Sequence, residues 1–272
     1  MKQPQPHITC ICPTYKRADL LQNAIACFVM QDYPHRNLII LDDAQQHRPQ
    51  IGDRWSLYVE NLRYPTLSEK FNAMGNIARK HRPDIIAVWE DDDIYLPHHL
   101  SDIASRWVPG GKQFIAPSYA WGTYGCKRGE VKLESAVGRF HGSWAYTLEL
   151  WDAMQGYPMT NRLDFDMQMA RQARDLSDTG GAVHTENQSP GYVYRWGNHH
   201  YHGSAQGEDG FRQLWDQLGQ KQAQPIESTG PKLDEWTRQV MEFLRVPVGL
   251  CNQCSIRLQD WEAGVCETCG TA

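Results

Sequence analysis

Two uninterrupted apolar runs, NLIIL at 37–41 and IIAVW at 85–89, both end abruptly on acids. The first runs into Asp42 and Asp43, the second into Glu90, Asp91, Asp92 and Asp93. A run without polar alternation has both faces covered, as a strand inside a parallel sheet does. HITCIC at 7–12 is a short strand-like run that ends at Pro13 and a turn. Between HITCIC and NLIIL, Leu20, Leu21, Ala24, Ile25, Phe28 and Val29 fall on one helical stripe within 19–30. Strand, helix and strand within so short a stretch make a βαβ unit. After a polar stretch, Thr66 and Glu69 have capping-box spacing, and Leu67, Phe71, Met74 and Ala78 continue at helical intervals until Pro83. The expected fold is α/β, with a mixed, mainly parallel sheet flanked by helices. Its strands deliver carboxylates to their C-terminal ends, where open α/β sheets bind ligands.

Further along, 114–119 and 190–195 read as strands, and 144–156, 164–176 and 208–219 read as helices. QKQAQPIESTGP at 220–231 is polar and turn-rich, a linker. Leu233, Trp236, Val240 and Phe243 then mark a last amphipathic helix. The expected organisation is a catalytic domain over 1–219, the linker, and a small module over 232–272. With 272 residues, 41% of them hydrophobic, the chain can bury one large core. No run approaches the ~20 apolar residues of a membrane helix. The N-terminus MKQPQPHITC lacks a charged-then-apolar leader pattern, so a cytoplasmic protein without membrane insertion is expected. A net charge of −5 gives no global basic footprint for nucleic acid.

Of eight cysteines, Cys10, Cys12, Cys27 and Cys126 are scattered. Cys251, Cys254, Cys266 and Cys269 form two CxxC pairs separated by eleven residues. Two such knuckles close a tetrahedral four-thiolate site, so structural Zn²⁺ is expected, and the module should not hold together without it. Asp260, Glu262 and Glu267 outnumber Arg257 there, which suits docking to a protein, or plain stabilisation, better than phosphate contact.

Four consecutive acids after a buried strand repel one another unless a cation or solvent relieves them. The residues alone leave two readings open, a divalent-cation site or a solvated loop whose last acid caps a helix. The order of segments adds to this. ITCICPTYKR, then LIILDDA, then WEDDDIYLP resembles the family 2 glycosyltransferases of the GT-A fold, with similar spacing over roughly residues 7–205. The resemblance implies that Pro13, Tyr15 and Arg17 lie beside the base and ribose of a nucleotide-sugar donor, most commonly a UDP-sugar. It sets Asp43 against the nucleobase and Asp91 beside the donor. Glu90 and Asp92 occupy the two positions of the DxD motif, a glutamate replacing the first aspartate, so Glu90, Asp92 and Asp93 are the implied ligands of Mn²⁺ or Mg²⁺.

LDFDMQMAR resembles the family's EDxDLxLR helix start. Asp164 then matches the catalytic base and Asp166 the second acid, while Leu163 replaces the usual glutamate. A simple helix cap is the plainer role for Asp164. YVYRWGNHHYHGS resembles the closing YR…HxS segment, which implies His202 as a metal ligand, with His199 and His200 as alternatives. Arg195 and Lys70 are candidate phosphate contacts or ion-pair partners. HGSW at 141–144 is expected near the donor sugar. One base and direct displacement imply inversion at the anomeric carbon.

Residues 105–141 interleave Arg106, Lys112, Lys127, Arg128, Lys132 and Arg139 with Trp107, Phe114, Tyr119, Trp121, Tyr124 and Phe140. Such a segment suits a saccharide acceptor stacked on aromatic rings, or a DNA strand presenting a hydroxymethylated base. The competing class is a degenerate GT-A-like protein that binds a nucleotide or partner without turnover and docks through its zinc module. A nucleotidyltransferase would need a glycine-rich, basic phosphate loop near the N-terminus, and PTYKR is not one.

Overall fold

The computed structural model describes residues 4–122, 131–160, 164–185 and 190–195. His199, His200, His202, the helix at 208–219, the linker and the whole cysteine module lie outside the described residues.

The elements in chain order are β1 (Ile8–Thr14), α1 (Ala18–Val29), β2 (Arg36–Asp42), β3 (Gln50–Gly52), β4 (Trp55–Val59), α2 (Leu67–Arg79) and β5 (Ile85–Val88). There follow β6 (Ile94–Tyr95), α3 (His99–Ala104), β7 (Phe114–Pro117), β8 (Tyr119–Gly122) and β9 (Lys132–Ser135). The last are β10 (Ala145–Thr147), α4 (Leu148–Met154), α5 (Phe165–Leu176), β11 (Ala182–Thr185) and β12 (Tyr192–Tyr194). Eight strands form one sheet in the order β11-β7-β10-β5-β1-β2-β4-β3, and β6-β12-β8-β9 form a second. The run β5-β1-β2-β4 is parallel throughout, while β10 runs antiparallel to both of its neighbours.

The apolar runs lack alternation because both faces of the large sheet are covered. Ile8, Cys10 and Cys12 of β1, Leu38 and Ile40 of β2, and Ile85 and Ala87 of β5 pack with α1 and the small sheet. Ile11, Ile39, Leu41, Ile86 and Val88 point the other way, onto residues of α2, α4 and α5. Two cores therefore share one sheet. The Thr66 hydroxyl accepts the Glu69 amide at 3.2 Å, so the capping box starts α2 where the spacing places it.

Three segments differ from the sequence expectation. β1 runs on through Pro13 to Thr14, because its last rungs pair only with β2, and a proline is tolerated where one side needs no donor. The stretch expected as helix over 144–156 is a strand first: Ala145–Thr147 fills the gap between β5 and β7, and Thr147 then caps α4. The run at 114–119 divides at Ser118, so that Phe114–Pro117 joins the large sheet and Tyr119 opens a strand of the small one. The polar stretch before α2 also holds the β3–β4 edge hairpin, which turns through Arg54 at φ 61°.

Candidate active site

β1, β2 and β5 end side by side, so the segments following them share one edge of the sheet. After β2 the two aspartates take different tasks. Asp42 accepts the amides of Ala44 (2.7 Å), Gln46 (2.9 Å) and His47 (3.1 Å) and pairs with His47 Nδ1 at 2.8 Å. It builds the loop. Burial works against its charge, but His47 and these amides outweigh burial and hold the carboxyl below its ordinary range. Asp43 meets the buried Lys70 ammonium at 2.5 Å, and Lys70 also donates to the Thr14 carbonyl at 2.7 Å. Lys70 therefore braces Asp43 against the end of β1. Tyr15 follows directly, with the Arg63 guanidinium 3.8 Å from its ring centroid. Pro13 lies in register with Leu41 of β2, half-buried below it.

After β5, Trp89 is fully buried, stacks on Tyr95 at 3.7 Å and donates its indole N–H to the Ala24 carbonyl. The Tyr95 hydroxyl accepts the Glu90 amide at 2.7 Å and donates to the Gly142 carbonyl at 3.0 Å. These contacts fold the acidic segment into a tight turn. Glu90, Asp92 and Asp93 present one oxygen each within 4.8 Å of one another. The Arg17 guanidinium, entering from the start of α1, reaches Asp91 at 2.7 Å and Asp92 at 3.0 Å. Burial opposes the Arg17 charge, yet Asp91 and Asp92 overcome it and raise the pKa. Burial pushes the Asp91 carboxyl up to about 6, with Arg17 opposing and Asp92 adding to the rise. Asp93 is driven well above the carboxylate range, by burial first and then by Asp92 and Glu90. Such a cluster is short of positive charge. Its converging hard oxygens fit a divalent cation by donor type and spacing.

Asp93 is also an anchor. The Tyr192 hydroxyl donates to one of its oxygens and the Arg195 amide donates to the other at 3.0 Å. The Arg195 side chain donates to the Asp92 carbonyl. The end of β12 is thus tied to the acidic turn, and Arg195 stands beside it. A Cβ on Gly142 would lie only 2.9 Å from Tyr192 Oη and 3.0 Å from Tyr95 Oη, so that approach needs a glycine.

Asp164 is buried at the N-terminus of α5, where Gln168 Nε2 donates to Oδ1 at 3.0 Å. Asp164 occupies the N-cap position of α5 without a side-chain cap bond. Phe165, between Asp164 and Asp166, packs against Phe71, His141 and Tyr157 at centroid distances of 6.0, 5.6 and 5.8 Å. His141 in turn sits 2.8 Å from Glu90 Oε1. One aromatic contact therefore links the start of α5 to the acidic turn. Burial raises the Asp166 pKa.

The structure brings Arg17, Glu90, Asp91, Asp92, Asp93 and Arg195 together at the acidic turn, and Asp164 precedes Phe165, which packs on His141 beside Glu90. It sets Lys70 inward, on Asp43 and the β1 carbonyl. His141 lies in the HGSW segment expected near the donor sugar and Tyr192 in the closing YVYR segment, but their partners, and Tyr157, are not legible from the sequence. Each acts through a partner at least sixteen residues away, which no local pattern reveals. The aromatic residues of 105–141 depart most from expectation. Phe114, Trp121 and Phe140 are core residues, and only Tyr119 among the described large aromatics there is exposed. Arg139 pairs with Glu134 and Lys112 with Asp178. Among the described residues this segment is structural, because its strands β7, β8 and β9 must fill two sheets.

Residues 9–165, more than half of the chain, match the family described as Glycosyl transferase family 2. The chain belongs to this family. It is a glycosyltransferase. No curated protein sequence matches it. A mannosyltransferase from Pyrobaculum calidifontis, solved with GDP-Man and Mn²⁺, is similar at 17% identity and TM-score 0.52, over 90% of this chain and 71% of that one. The S. aureus protein TarS, residues 1–349, is similar at 11% identity and TM-score 0.52, over 86% of this chain and 69% of that one. The same TarS fragment with UDP-GlcNAc gives 11% identity and TM-score 0.50, over 87% and 71%. At these identities the likeness is one of fold, the GT-A arrangement of a mainly parallel sheet between helices. Among the described residues no helix is long and apolar enough to cross a membrane.

Proposed function

We propose that the chain is a metal-dependent, inverting transferase that moves a sugar from a nucleoside-diphosphate sugar to an acceptor hydroxyl. The observation that carries this reading is the convergence of Glu90, Asp92 and Asp93 beside Arg17 at the sheet edge, with His141 on Glu90 packing against Phe165 at the start of α5. Glu90, Asp92 and Asp93 hold the divalent cation, Mn²⁺ or Mg²⁺, with His202 as the further ligand. When bound, the cation supplies Lewis-acid stabilisation of the departing diphosphate. Tyr15, Pro13 and Asp43 receive the nucleoside, a role supported by their place at the ends of β1 and β2. Arg17, Asp91 and Arg195 border the diphosphate. The solved relatives bind GDP-Man or UDP-GlcNAc, which supports a nucleotide-sugar donor, and we take UDP as its nucleotide.

Asp164 takes the proton of the acceptor hydroxyl as its oxygen attacks the anomeric carbon. The new carbon–oxygen bond forms as the bond to the diphosphate breaks, the electron pair leaves with the diphosphate, and the configuration inverts. The acceptor is a saccharide. Among the described residues of 105–141 most aromatic rings are core residues and Arg139 and Lys112 are paired, which supports neither acceptor over the other, so a hydroxymethylated DNA base stays the alternative. The two departures from the family pattern, Glu90 and Leu163, point toward a non-catalytic nucleotide binder. The pairing of Glu90 with His141 keeps its carboxylate in the acidic turn, and favours turnover. The four C-terminal cysteines hold structural Zn²⁺, and that module docks a partner while the protein works in the cytoplasm.

The test is a calorimetric titration with UDP, GDP, TDP and CDP, with and without Mn²⁺, beside an Asp92→Ala variant. One nucleotide should bind only with metal, and the variant should lose it. If no nucleotide binds under any condition, the reading fails.

A further inference from the structure

The family pattern places an aspartate where this chain has Glu90, and the structure shows what accompanies the extra methylene. The Glu90 Oε1 atom lies 2.8 Å from His141 Nδ1, and His141 Nε2 lies 2.6 Å from the Tyr157 hydroxyl. The imidazole has one arrangement that satisfies both contacts as a neutral ring. Nδ1–H donates to the carboxylate, and Nε2 accepts from the tyrosine. This tautomer follows from the bonding network.

The ring is held on every side. Phe71 of α2 meets it edge-on at 5.0 Å, Trp144 at 5.4 Å, and Phe165 and Tyr157 at 5.6 Å. Tyr157 is itself stacked on Phe71 at 4.9 Å, and its backbone amide donates to Asn72 at 2.7 Å. A histidine so enclosed has no rotamer freedom left, so its N–H defines a fixed point for a carboxylate. An aspartate at position 90 would end about 1.5 Å short of that point, the length of one carbon–carbon bond.

Resting on the metal-site reading above, we infer that His141 is a positioning residue. Braced by Tyr157, it fixes the longer carboxylate of Glu90 in the orientation that a cation in the acidic turn requires. Outer hydrogen bonds of this kind orient metal ligands and raise their basicity, and their loss typically costs about 10–100-fold in metal affinity. The same aromatic box supports Phe165, so His141 also keeps the ligand and the Asp164 helix start in register. Glutamate at 90, histidine at 141 and tyrosine at 157 therefore form one substitution unit.

The test measures Mn²⁺ affinity directly, by loss of the free-ion electron paramagnetic resonance signal, on the full chain with and without UDP. Binding that disappears in Asp92→Ala is assigned to the acidic turn. His141→Phe should weaken that binding about 10–100-fold, and His141→Asn, which keeps a donor near the Nδ1 position, should restore most of it. Tyr157→Phe, which removes only the hydroxyl, should weaken it less and tests the brace should His141→Phe fail to fold. Glu90→Asp should weaken binding in the wild-type background and add little in His141→Phe, because the contact it shortens is already gone. A merely structural role for His141 predicts additivity and no rescue by asparagine. Wild-type affinity in His141→Phe and Tyr157→Phe, or additive losses with Glu90→Asp, overturns the inference while leaving the metal site standing. No Mn²⁺ binding by the wild-type protein overturns the metal site and this inference together.

Discussion

Lys70 offers the sharpest energetic test of how the ends of β1 and β2 are held together. Its side chain is 4% exposed, as is that of Asp43, and the two meet at 2.5 Å. Burial lowers the Lys70 pKa even though Asp43 pulls it upward, so desolvation is the largest influence on the amine. Lys70→Met keeps most of the volume and removes the charge. Asp43 would then be a buried carboxylate with the Tyr64 amide, at 3.1 Å, as its remaining described donor. The Thr14 carbonyl would also lose its Lys70 donor. Removing one partner of a buried pair costs about 3–5 kcal/mol, because the other charge is stranded. Replacing both partners avoids stranding a charge, so Lys70→Met/Asp43→Asn should recover much of that loss. Urea unfolding at constant m-value reads both numbers through the shift in midpoint. The reasoning is refuted if Lys70→Met lies within about 1 kcal/mol of wild type, the range of an exposed pair, or if the two substitutions simply add.

Asp164→Asn should lower turnover by about 10²–10⁴-fold, the usual contribution of a general base, with metal-dependent nucleotide binding unchanged in calorimetry. Tyr192→Phe removes a hydroxyl that the buried Asp93 accepts, and should destabilise the fold by about 1–3 kcal/mol, measured by the urea midpoint. His99 is buried, and burial, with His98 adding to it, lowers its pKa from its ordinary 6.5 to about 3. Between those values the unfolded chain binds more protons, so stability falls as pH drops below 6.5. His99→Phe should remove up to about 1.4 kcal/mol of that loss per pH unit, seen by comparing urea midpoints from pH 7 to 5. Treatment with a zinc chelator should release one zinc per chain and open the C-terminal module, with UDP and Mn²⁺ binding by the catalytic domain intact.

The legible parts of this protein are those in which neighbours in sequence carry the signal. The mostly apolar runs around 8–12, 38–41 and 85–88 mark the central strands, because a strand covered on both faces carries few polar residues. The Thr66–Glu69 box marks the start of α2, because capping spans one helical turn. The acids after β2 and β5 mark one edge of the sheet, because parallel strands end together. Reading 144–156 as one helix went astray because Ala145–Thr147 owes its strand conformation to β5 and β7, thirty to sixty residues back. The aromatics of 105–141 looked like a ligand surface for a similar reason. Whether a tryptophan stacks on a sugar or fills a core depends on which sheet its strand joins.

What the amino-acid order determined by itself is the alternation of strands and helices, the family, and the residue types gathered at the sheet edge. Only the tertiary structure decided their partners. It gave Asp42 to the loop and Asp43 to Lys70, and set Arg17 across Asp91 and Asp92. It tied Asp93 to Tyr192 and placed His141 against Glu90. The physical reason is range. Periodicity and capping act within a turn or a strand, whereas a buried charge is settled by whichever donor the packed chain brings within about 3 Å of it.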